Sequence, residues 1–268
     1  MKIILTGHKG FIGSNLLHYL QEHEVVTFEW GDADLPDVRG CDWVMHIGAI
    51  SSTTEKNVEK VLSQNLDFSI SLLDECIKHK VNFQYSSSAS VYGSYFGMKI
   101  PFVEHTTVDP RSPYAWSKYL FERHVESLKT DAITIQGFRY FNVYGPGEDH
   151  KGDMASPYHK FNKQFKETGK ILLFENSENY VRDFVHVDYV CNIHKNFLNS
   201  VESGIWNVGT GRTKSFLDVA LSIASNNCIK YVKMPDNLKI SYQDYTCADT
   251  SKLQKSLERI NTRKQQGL

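Results

Sequence analysis

Short apolar runs and longer amphipathic runs alternate along the first half of the chain. The apolar runs have the length and composition of strands buried on both faces, and the amphipathic runs repeat their apolar positions at helical spacing. We predict strands at 3–6, 25–30, 43–47, 82–86 and 133–138, and helices at 14–22, 58–79 and 114–128. Strands that alternate with helices in this way predict an α/β fold in which helices cover a parallel sheet.

The pattern changes after residue 147. The sequence becomes polar and punctuated by glycine, returns to an apolar pattern over 182–200, and is mixed to its end. We therefore predict a doubly wound, Rossmann-type parallel sheet in a dinucleotide-binding domain at 1–147, to which 182–200 returns. Residues 148–268 are predicted to form a smaller substrate-binding part.

Composition and charge narrow the class of protein. The 268 residues include 30 Lys and Arg against 31 Asp and Glu, so no strong field favours a nucleic acid or an acidic membrane. No stretch approaches the ~18 apolar residues of a membrane span. Five scattered cysteines fit free thiols in a reducing compartment, and eleven histidines show no metal-binding spacing. We expect a cytoplasmic protein that binds no nucleic acid, membrane or metal.

A glycine-rich segment joins the first predicted strand to the first predicted helix. It reads Gly7-His8-Lys9-Gly10-Phe11-Ile12-Gly13. In such a segment Gly7 permits a tight turn, Gly10 lets the backbone approach a pyrophosphate, and Gly13 allows close helix packing. The free amides of the helix N-terminus hold the phosphates. A purely structural turn is the alternative, but the position directly after an N-terminal strand favours a dinucleotide site.

A tyrosine and a lysine lie four residues apart in a predicted helix. Tyr114 and Lys118 therefore face the same way. A cation beside a phenol favours the phenolate, so the pair is predicted to take a proton from a sugar hydroxyl near neutral pH. A chance pair on a solvated helix face is the alternative for this spacing alone.

Five motifs occur in order along the chain. They are Thr6-Gly7-x-x-Gly10-Phe11-Ile12-Gly13, His46-Ile47-Gly48-Ala49, Ser86-Ser87-Ser88-Ala89-Ser90-Val91-Tyr92-Gly93, Tyr114-x-x-x-Lys118 and Arg139-Tyr140-Phe141-Asn142-Val143-Tyr144-Gly145-Pro146. Together they resemble the extended short-chain dehydrogenases/reductases, which rearrange nucleotide sugars. The resemblance covers nearly the whole chain.

The resemblance implies roles for individual residues. Ser88 would hydrogen-bond the reacting hydroxyl, and Tyr114 would be the catalytic acid/base. Lys118 would lower the pKa of Tyr114 and bind the nicotinamide ribose, while Gly48 and Ala49 would line the cofactor site. The resemblance also implies a nucleotide-sugar substrate and a homo-oligomer.

Three further stretches resemble one branch of the family, whose members invert ADP-heptose at C6. They are Ile50 to Glu55, Glu148 to Ser156, and Phe174 to Val185. The likeness suggests ADP-heptose as substrate. The residues predicted to bind it are Ser88, Asn142, Lys151, Ser156, Phe174, Arg182 and Tyr245. For Arg182, a fork that holds the diphosphate and an ordinary surface ion pair are equally favoured.

Chemistry gives a separate reason to assign a role to Lys151. A hydrogen on a carbon that bears only a hydroxyl is not acidic, so inversion there must pass through a carbonyl, with the hydride held on a nicotinamide. One group must then deprotonate the first alcohol, and a second must protonate the new alkoxide on the other face. Tyr114 and Lys151 are the predicted pair. The alternative for Lys151 is an ordinary loop lysine.

Other activities make different demands on the same positions. Dehydratases of the family carry an Asp-Glu pair just after the position of Ser88, where this chain has Ala89 and Ser90. A UDP-hexose 4-epimerase or another nucleotide-sugar enzyme of the family remains open, because it needs only the serine, tyrosine and lysine. A non-catalytic relative that binds or regulates is the third alternative, which the intact Ser88, Tyr114 and Lys118 disfavour.

The identity of the cofactor is less sharply predicted. The heptose branch favours NADP, and we follow it, with NAD as the alternative. Glu29 ends the second predicted strand, where a carboxylate accepts hydrogen bonds from the ribose of NAD and repels a 2′-phosphate. Lys9 and Arg39 are the nearby cations that could offset this repulsion.

Two stretches are shorter than in relatives. About a dozen residues separate the second and third predicted strands, where relatives carry another strand and helix. At the other end of the chain, the usual last helix is expected to give way to a frayed polar tail at 259–268.

Overall fold

A computed structural model describes residues 1–93, 99–235 and 243–266. The strands are β1 (Lys2–Thr6), β2 (Glu24–Phe28), β3 (Trp43–His46), β4 (Asn82–Ser88), β5 (Ile135–Tyr140), β6 (Asn142–Tyr144), β7 (Ile171–Phe174), β8 (Val181–Arg182), β9 (Phe184–His186), β10 (Gly204–Val208), β11 (Lys214–Ser215), β12 (Ile229–Val232) and β13 (Tyr245–Thr246). The helices are α1 (Phe11–Tyr19), α2 (Val58–Leu62), α3 (Phe68–His79), α4 (Pro113–Leu128), α5 (Pro157–Thr168), α6 (Val187–Phe197), α7 (Phe216–Leu221) and α8 (Ser251–Gln265). A π-helical stretch at Ser63–Asp67 joins α2 to α3.

Six strands form one parallel sheet in the order β2-β1-β3-β4-β5-β10. Helices cover both faces of this sheet. On one face Ile4 and Val44 pack with Leu72 of α3 and Phe121 of α4. On the other face a cluster around Leu5 includes residues of α1 and α6. Because both faces are buried, the strands are apolar along their whole length, as the sequence pattern predicts.

The order of the strands locates the functional edge of the sheet. β1 lies between β2, which is the edge strand of this sheet, and β3. The connections that leave β1 and β2 therefore run in opposite directions, which opens a crevice at the carboxyl ends of the strands. The described residues 29–42 form no helix or strand, as predicted for the shortened loop.

The smaller sheets involve the second half of the chain. β8 lies between β11 and β13, β7 pairs with β12, and β6 pairs with β9. The stretch from 148 onwards also supplies β10 to the main sheet and packs α8 beside it. It thus contributes more to this layer than the predicted segment 182–200. Within the described residues, no helix is long and apolar enough to cross a membrane.

The prediction that the chain ends without a final helix is wrong. α8 runs to Gln265, and only Gly267 and Leu268 of the predicted tail lie outside the described residues. Leu253 and Ile260 repeat at helical spacing and are buried against the sheet. Ser256 accepts a hydrogen bond from the indole N–H of Trp206 at 3.1 Å. The polar residues between these positions form the solvated face of an amphipathic helix, so polarity alone did not indicate fraying.

Two histidines are buried next to the sheet. The ring nitrogens of His46 lie 2.8 Å from the hydroxyls of Thr6 and Ser69. Those of His194 contact the hydroxyl of Tyr140 and, at 2.7 Å, the amide oxygen of Gln84. Burial lowers the pKa of each histidine to about 3, and the charge on Lys118 also acts in this direction on the pKa of His46.

We predict that protonation of the unfolded chain lowers its stability at mildly acidic pH. The folded histidines bind a proton only near pH 3, whereas an unfolded histidine binds one below about 6.5. The stability that depends on them is complete above pH 6.5 and is lost as the pH falls towards 3. For His194 the loss between pH 7 and pH 5 is about 2 kcal/mol.

Urea unfolding of the wild type and of His194→Gln at both pH values measures this loss. The pH dependence of the variant should be smaller by that amount, although the variant is less stable overall. His105→Gln, at an exposed histidine, is the matched control. Equal pH dependence in the wild type and in His194→Gln would contradict the prediction.

Candidate active site

A cleft of about 480 Å³ lies at the carboxyl ends of β1, β3, β4 and β5. Most of the predicted site residues line it: Gly7, Gly10, Phe11, Ile12, Gly13, Glu29, Gly48, Ala49, Ser88, Tyr114, Lys118, Asn142, Lys151 and Ser156. The fold thus brings together side chains that are up to about 150 residues apart in sequence. Ser51, Thr53 and His150 also line the cleft and were not predicted.

Close backbone contacts shape the end of the cleft next to α1. Gly7 has φ of 73°, and a Cβ on it would lie 2.4 Å from the Cα of Gly48. A Cβ on Gly13 would lie 2.0 Å from the carbonyl oxygen of Gly7. Only glycine fits these two positions. No side-chain hydrogen bond caps the N-terminus of α1, so its first amides are open to an anion.

Lys118 is buried in the wall formed by α4 and β4. Ser112 caps α4 by accepting a hydrogen bond from the amide of Ala115 at 3.1 Å, which fixes where the helix begins. One turn later, Nζ of Lys118 donates to the carbonyl oxygen of Ser86 at 2.9 Å and approaches its hydroxyl at 3.2 Å. Burial lowers the pKa of Lys118 to about 8, against the opposing charge of Glu122. The side chain is therefore mainly a cation at pH 7.

Tyr114 faces the same cleft, with the Lys118 Nζ atom 6.0 Å from the centre of its ring. Burial raises the pKa of Tyr114, and a hydrogen bond with Ser88 acts in the opposite direction. The prediction that the lysine brings this pKa below its usual value is wrong in its net direction. Desolvation of the phenolate outweighs the favourable interactions, so the group is a phenol at neutral pH.

Lys151 lies in a short 3₁₀ turn, Asp149–Met154, that lines the cleft. Its ammonium is 3.1 Å from a carboxylate oxygen of Glu148 and 4.6 Å from the centre of the Phe11 ring. Glu148 is buried and was not predicted. Its signals in the sequence are its place at the start of the stretch that resembles the heptose branch and the Glu-x-x-Lys spacing, which also describes many ordinary surface pairs.

Glu29 directly follows β2 and lines the cleft. One carboxylate oxygen accepts a hydrogen bond from the backbone amide of Lys9 at 2.7 Å and lies 3.1 Å from Nδ1 of His8. Lys9 itself does not line the cleft. Arg39 forms an exposed ion pair with Asp37 at 2.7 Å.

Asn142 and Ser156, like Ser88 and Lys151, are predicted substrate residues that line the cleft. Asn142 accepts a hydrogen bond from the hydroxyl of Thr246 at 3.2 Å, and Ser156 caps α5 through the amide of His159. Phe174, Arg182 and Tyr245 do not line it. Phe174 ends β7 and Tyr245 is buried in β13, so their substrate roles stay predictions.

Arg182 is also buried, so it does not lie at the surface as one of its two predicted alternatives required, and its role as a diphosphate fork stays a prediction. It donates to the backbone carbonyls of Val181, at 2.9 Å, and Gln243. Its guanidinium lies 5.5 Å from the centre of the Phe216 ring.

The cleft fits a dinucleotide. It combines open amides at a helix N-terminus, a backbone cradle that a Cβ would fill, a carboxylate at the end of β2 and a buried ammonium. These are groups that bind a pyrophosphate, approach it closely and hold ribose hydroxyls. In the part of the chain that the structure describes, no cluster of His, Cys, Asp and Glu could hold a metal ion.

Several solved structures are similar to this one over 96% of the chain. The Helicobacter pylori ADP-L-glycero-D-manno-heptose-6-epimerase is 26% identical, with a TM-score of 0.84 and 90% of its own chain covered. The Methanobrevibacter ruminantium UDP-N-acetylglucosamine 4-epimerase is 23% identical, with a TM-score of 0.85 and 91% covered. The Thermotoga maritima UDP-glucose 4-epimerase is 24% identical, with a TM-score of 0.82 and 93% covered.

These similarities confirm the predicted fold class, a Rossmann-type parallel sheet between layers of helices. The family resemblance predicted from the motifs is tested by comparison with models of known families. The model of the NAD dependent epimerase/dehydratase family matches residues 3–209, and the chain belongs to this enzyme family.

Proposed function

We propose that the chain inverts one carbon of a nucleotide sugar by transient oxidation and re-reduction, and that its substrate is ADP-glycero-manno-heptose, inverted at C6. The observation that carries this proposal is the position of Lys151. It lines the same cleft as Ser88 and Tyr114 but comes from the segment between β6 and α5. Two proton-transfer groups on separate elements allow the first alcohol to be deprotonated on one face and the new alkoxide to be protonated on the other.

Each residue of the cleft has a separate role in this reaction. The cleft would hold a nicotinamide cofactor, which would supply the hydride chemistry for oxidation and re-reduction of the sugar. Ser88 holds the reacting hydroxyl, and Tyr114 takes its proton in the minority phenolate form that Ser88 and the Lys118 cation favour. The carbonyl end then turns over, and Lys151 donates a proton to its oxygen as the opposite face is reduced. In the reverse direction the two groups exchange roles.

The heptose is favoured by the segment that carries Lys151. Glu148 to Ser156 resembles the heptose branch, and the Helicobacter pylori heptose epimerase is similar over nearly the whole chain. A UDP-hexose 4-epimerase is the second candidate, because Ser88, Tyr114 and Lys118 suffice for it and two 4-epimerases have comparable TM-scores. Ala89 and Ser90 disfavour a dehydratase.

For the cofactor, the geometry favours NAD over the NADP predicted from the resemblance. The carboxylate of Glu29 lines the cleft, whereas neither Lys9 nor Arg39 does. The backbone amide of Lys9 holds the carboxylate in place, and Arg39 pairs with Asp37. A 2′-phosphate would meet the negative charge of the Glu29 carboxylate there.

Two other expectations stay predictions. One is a homo-oligomeric state, which follows only from the resemblance. The other is a cytoplasmic location, which follows from composition and from the absence of long apolar stretches in the sequence.

We predict that purified protein interconverts the two C6 epimers of ADP-heptose without an added reductant, because the hydride returns to the sugar it left. Chromatography or NMR of the product mixture measures this interconversion from either epimer. The same assay with UDP-glucose and UDP-galactose tests the second candidate, a UDP-hexose 4-epimerase. If the protein ignores both heptose epimers and interconverts the two UDP-hexoses, the substrate assignment is wrong and the 4-epimerase is correct.

We predict that the wild type binds NAD more tightly than NADP and that Glu29→Ala removes this preference. The carboxylate supplies hydrogen-bond acceptors to the ribose of NAD and repels the 2′-phosphate of NADP. The NAD dissociation constant should rise by about tenfold in Glu29→Ala, which corresponds to one charge-assisted hydrogen bond. Calorimetric titration of both cofactors measures it, with Asp34→Ala as the control at an exposed carboxylate outside the cleft. Tighter binding of NADP by the wild type would overturn the assignment.

A further inference from the structure

Glu148 is a buried carboxylate with several hydrogen-bond donors around it. Its side chain is 0% exposed, although it lies in the loop between β6 and α5. One oxygen accepts from the hydroxyl of Ser156 at 2.6 Å and from the amide of Gly145 at 3.2 Å. The other accepts from the amide of Ser156 at 2.7 Å and from Nζ of Lys151 at 3.1 Å. Two donors on each oxygen fill the hydrogen-bond acceptor sites of the carboxylate, so the carboxylate cannot rotate without losing hydrogen bonds.

These contacts keep the carboxylate ionised. Burial raises the pKa of Glu148, but the hydroxyl and amide of Ser156, together with Lys151, outweigh it and hold the pKa below its usual value. An ionised, fully buried carboxylate needs a cation and hydrogen bonds to compensate its charge. The Lys151 ammonium is the cation within 4 Å among the described residues.

The Lys151 side chain is held from a second direction. Its Nζ atom lies over the ring of Phe11, the first residue of α1, and 21% of the side chain is exposed. Asn15 of α1 donates to the backbone carbonyl of Pro146 at 2.9 Å, which ties α1 to the loop that carries Glu148. A lysine side chain has four rotatable bonds, and these contacts restrict the position of the Lys151 ammonium.

Charged and titratable groups that share the cleft come from several elements. His150 is next to Lys151 in the turn, Tyr114 and Lys118 come from α4, and Glu29 comes from the end of β2. Among the described residues, Lys151 forms an ion pair with Glu148 and with no other carboxylate.

We propose that Glu148 is a positioning residue, which holds the Lys151 ammonium over Phe11 so that Lys151 can donate its proton to the substrate in the cleft. This inference rests on the proposed function, in which Lys151 is the second proton-transfer group. It adds that Glu148 acts through Lys151 and touches neither cofactor nor substrate. A purely structural role, in which Glu148 only joins the Gly145 turn to the start of α5, is the competing account.

The test is a double-mutant cycle on Glu148→Gln and Lys151→Met. The amide introduced by Glu148→Gln has the same shape as the carboxylate, but it carries no charge and sets an NH2 donor against two of the four surrounding donors, which weakens the hold on the lysine. We expect Glu148→Gln to slow inversion by about 100-fold, within the range for a general acid, yet to have less than about a threefold effect when Lys151 is already replaced by methionine. Additive losses would overturn the proposal, because Glu148 would then act independently of the lysine.

The half-reactions separate positioning from general damage. Reduction of the bound cofactor by the epimer that Tyr114 deprotonates should proceed in Glu148→Gln within about threefold of the wild-type rate, because that step does not use Lys151. A structural role would slow both half-reactions together. Asp149→Asn is the matched control, since this carboxylate is adjacent but 95% exposed. If Glu148→Gln does not fold, Glu148→Asp keeps the charge and should lose about tenfold in inversion with the same asymmetry.

A measurement without substrate separates this inference from the proposed function. Acylation of lysines in the protein with bound cofactor, followed by mass spectrometry, reports how freely each amine reacts. Lys151 should react several-fold faster in Glu148→Gln than in the wild type, with Lys163 of α5 as an internal reference. Unchanged reactivity would refute the positioning contact. Faster reactivity in a protein that epimerises no nucleotide sugar would refute only the function.

Discussion

The site depends on how closely the backbone segments at the ends of β1 and β3 approach each other. Gly7, Gly13 and Gly48 meet at distances that no side chain would permit, with hypothetical Cβ atoms on Gly7 and Gly13 2.0 to 2.4 Å from backbone atoms. This contact places the N-terminus of α1 at the floor of the cleft, and with it the open amides and Phe11. The same helix start therefore serves the dinucleotide and provides the aromatic face against which Lys151 rests.

A second constraint is the group of buried charges behind α4. Glu122 accepts hydrogen bonds from Arg139 at 2.9 and 2.6 Å and from the hydroxyl of Ser87, so it joins α4 to β5 and β4. Its charge also opposes the loss of the proton from Lys118. Removing one member of such a buried group leaves an uncompensated charge. The charge of Lys118 thus depends on Glu122, and through it on Arg139, although neither residue lines the cleft.

Local spacing made much of the fold and site predictable. The period of the apolar residues indicated five strands of the sheet, the glycines indicated the α1 turn, and the four-residue spacing placed Tyr114 and Lys118 on one helix face. The predictions that were wrong depended on how the fold buries each residue. The pKa of Tyr114 depends on burial, which spacing does not reveal, and α8 is largely polar because only one of its faces is covered.

Other features were missed because their partners are distant in sequence. β10 follows a mixed segment and becomes a strand by pairing with β5, about 70 residues earlier. Glu148 belongs to the stretch that resembles the heptose branch, but its contacts with backbone amides and with the Lys151 ammonium appear only in the structure. Arg182 and Tyr245 are buried in the small sheet rather than in the main cleft, and no local pattern distinguishes these two locations.

The central claim is that Tyr114 and Lys151 transfer protons at different stages of one inversion. The most direct measurement follows the near-ultraviolet absorbance of the reduced nicotinamide after one epimer is mixed with the protein and its bound cofactor. The account predicts that Tyr114→Phe gives no reduction from the epimer that Tyr114 deprotonates. Lys151→Met should give a reduced cofactor that accumulates without inversion, with a loss of about 100-fold or more in epimerisation. Inversion at the wild-type rate in Lys151→Met, or reduction at the wild-type rate in Tyr114→Phe, would contradict the account.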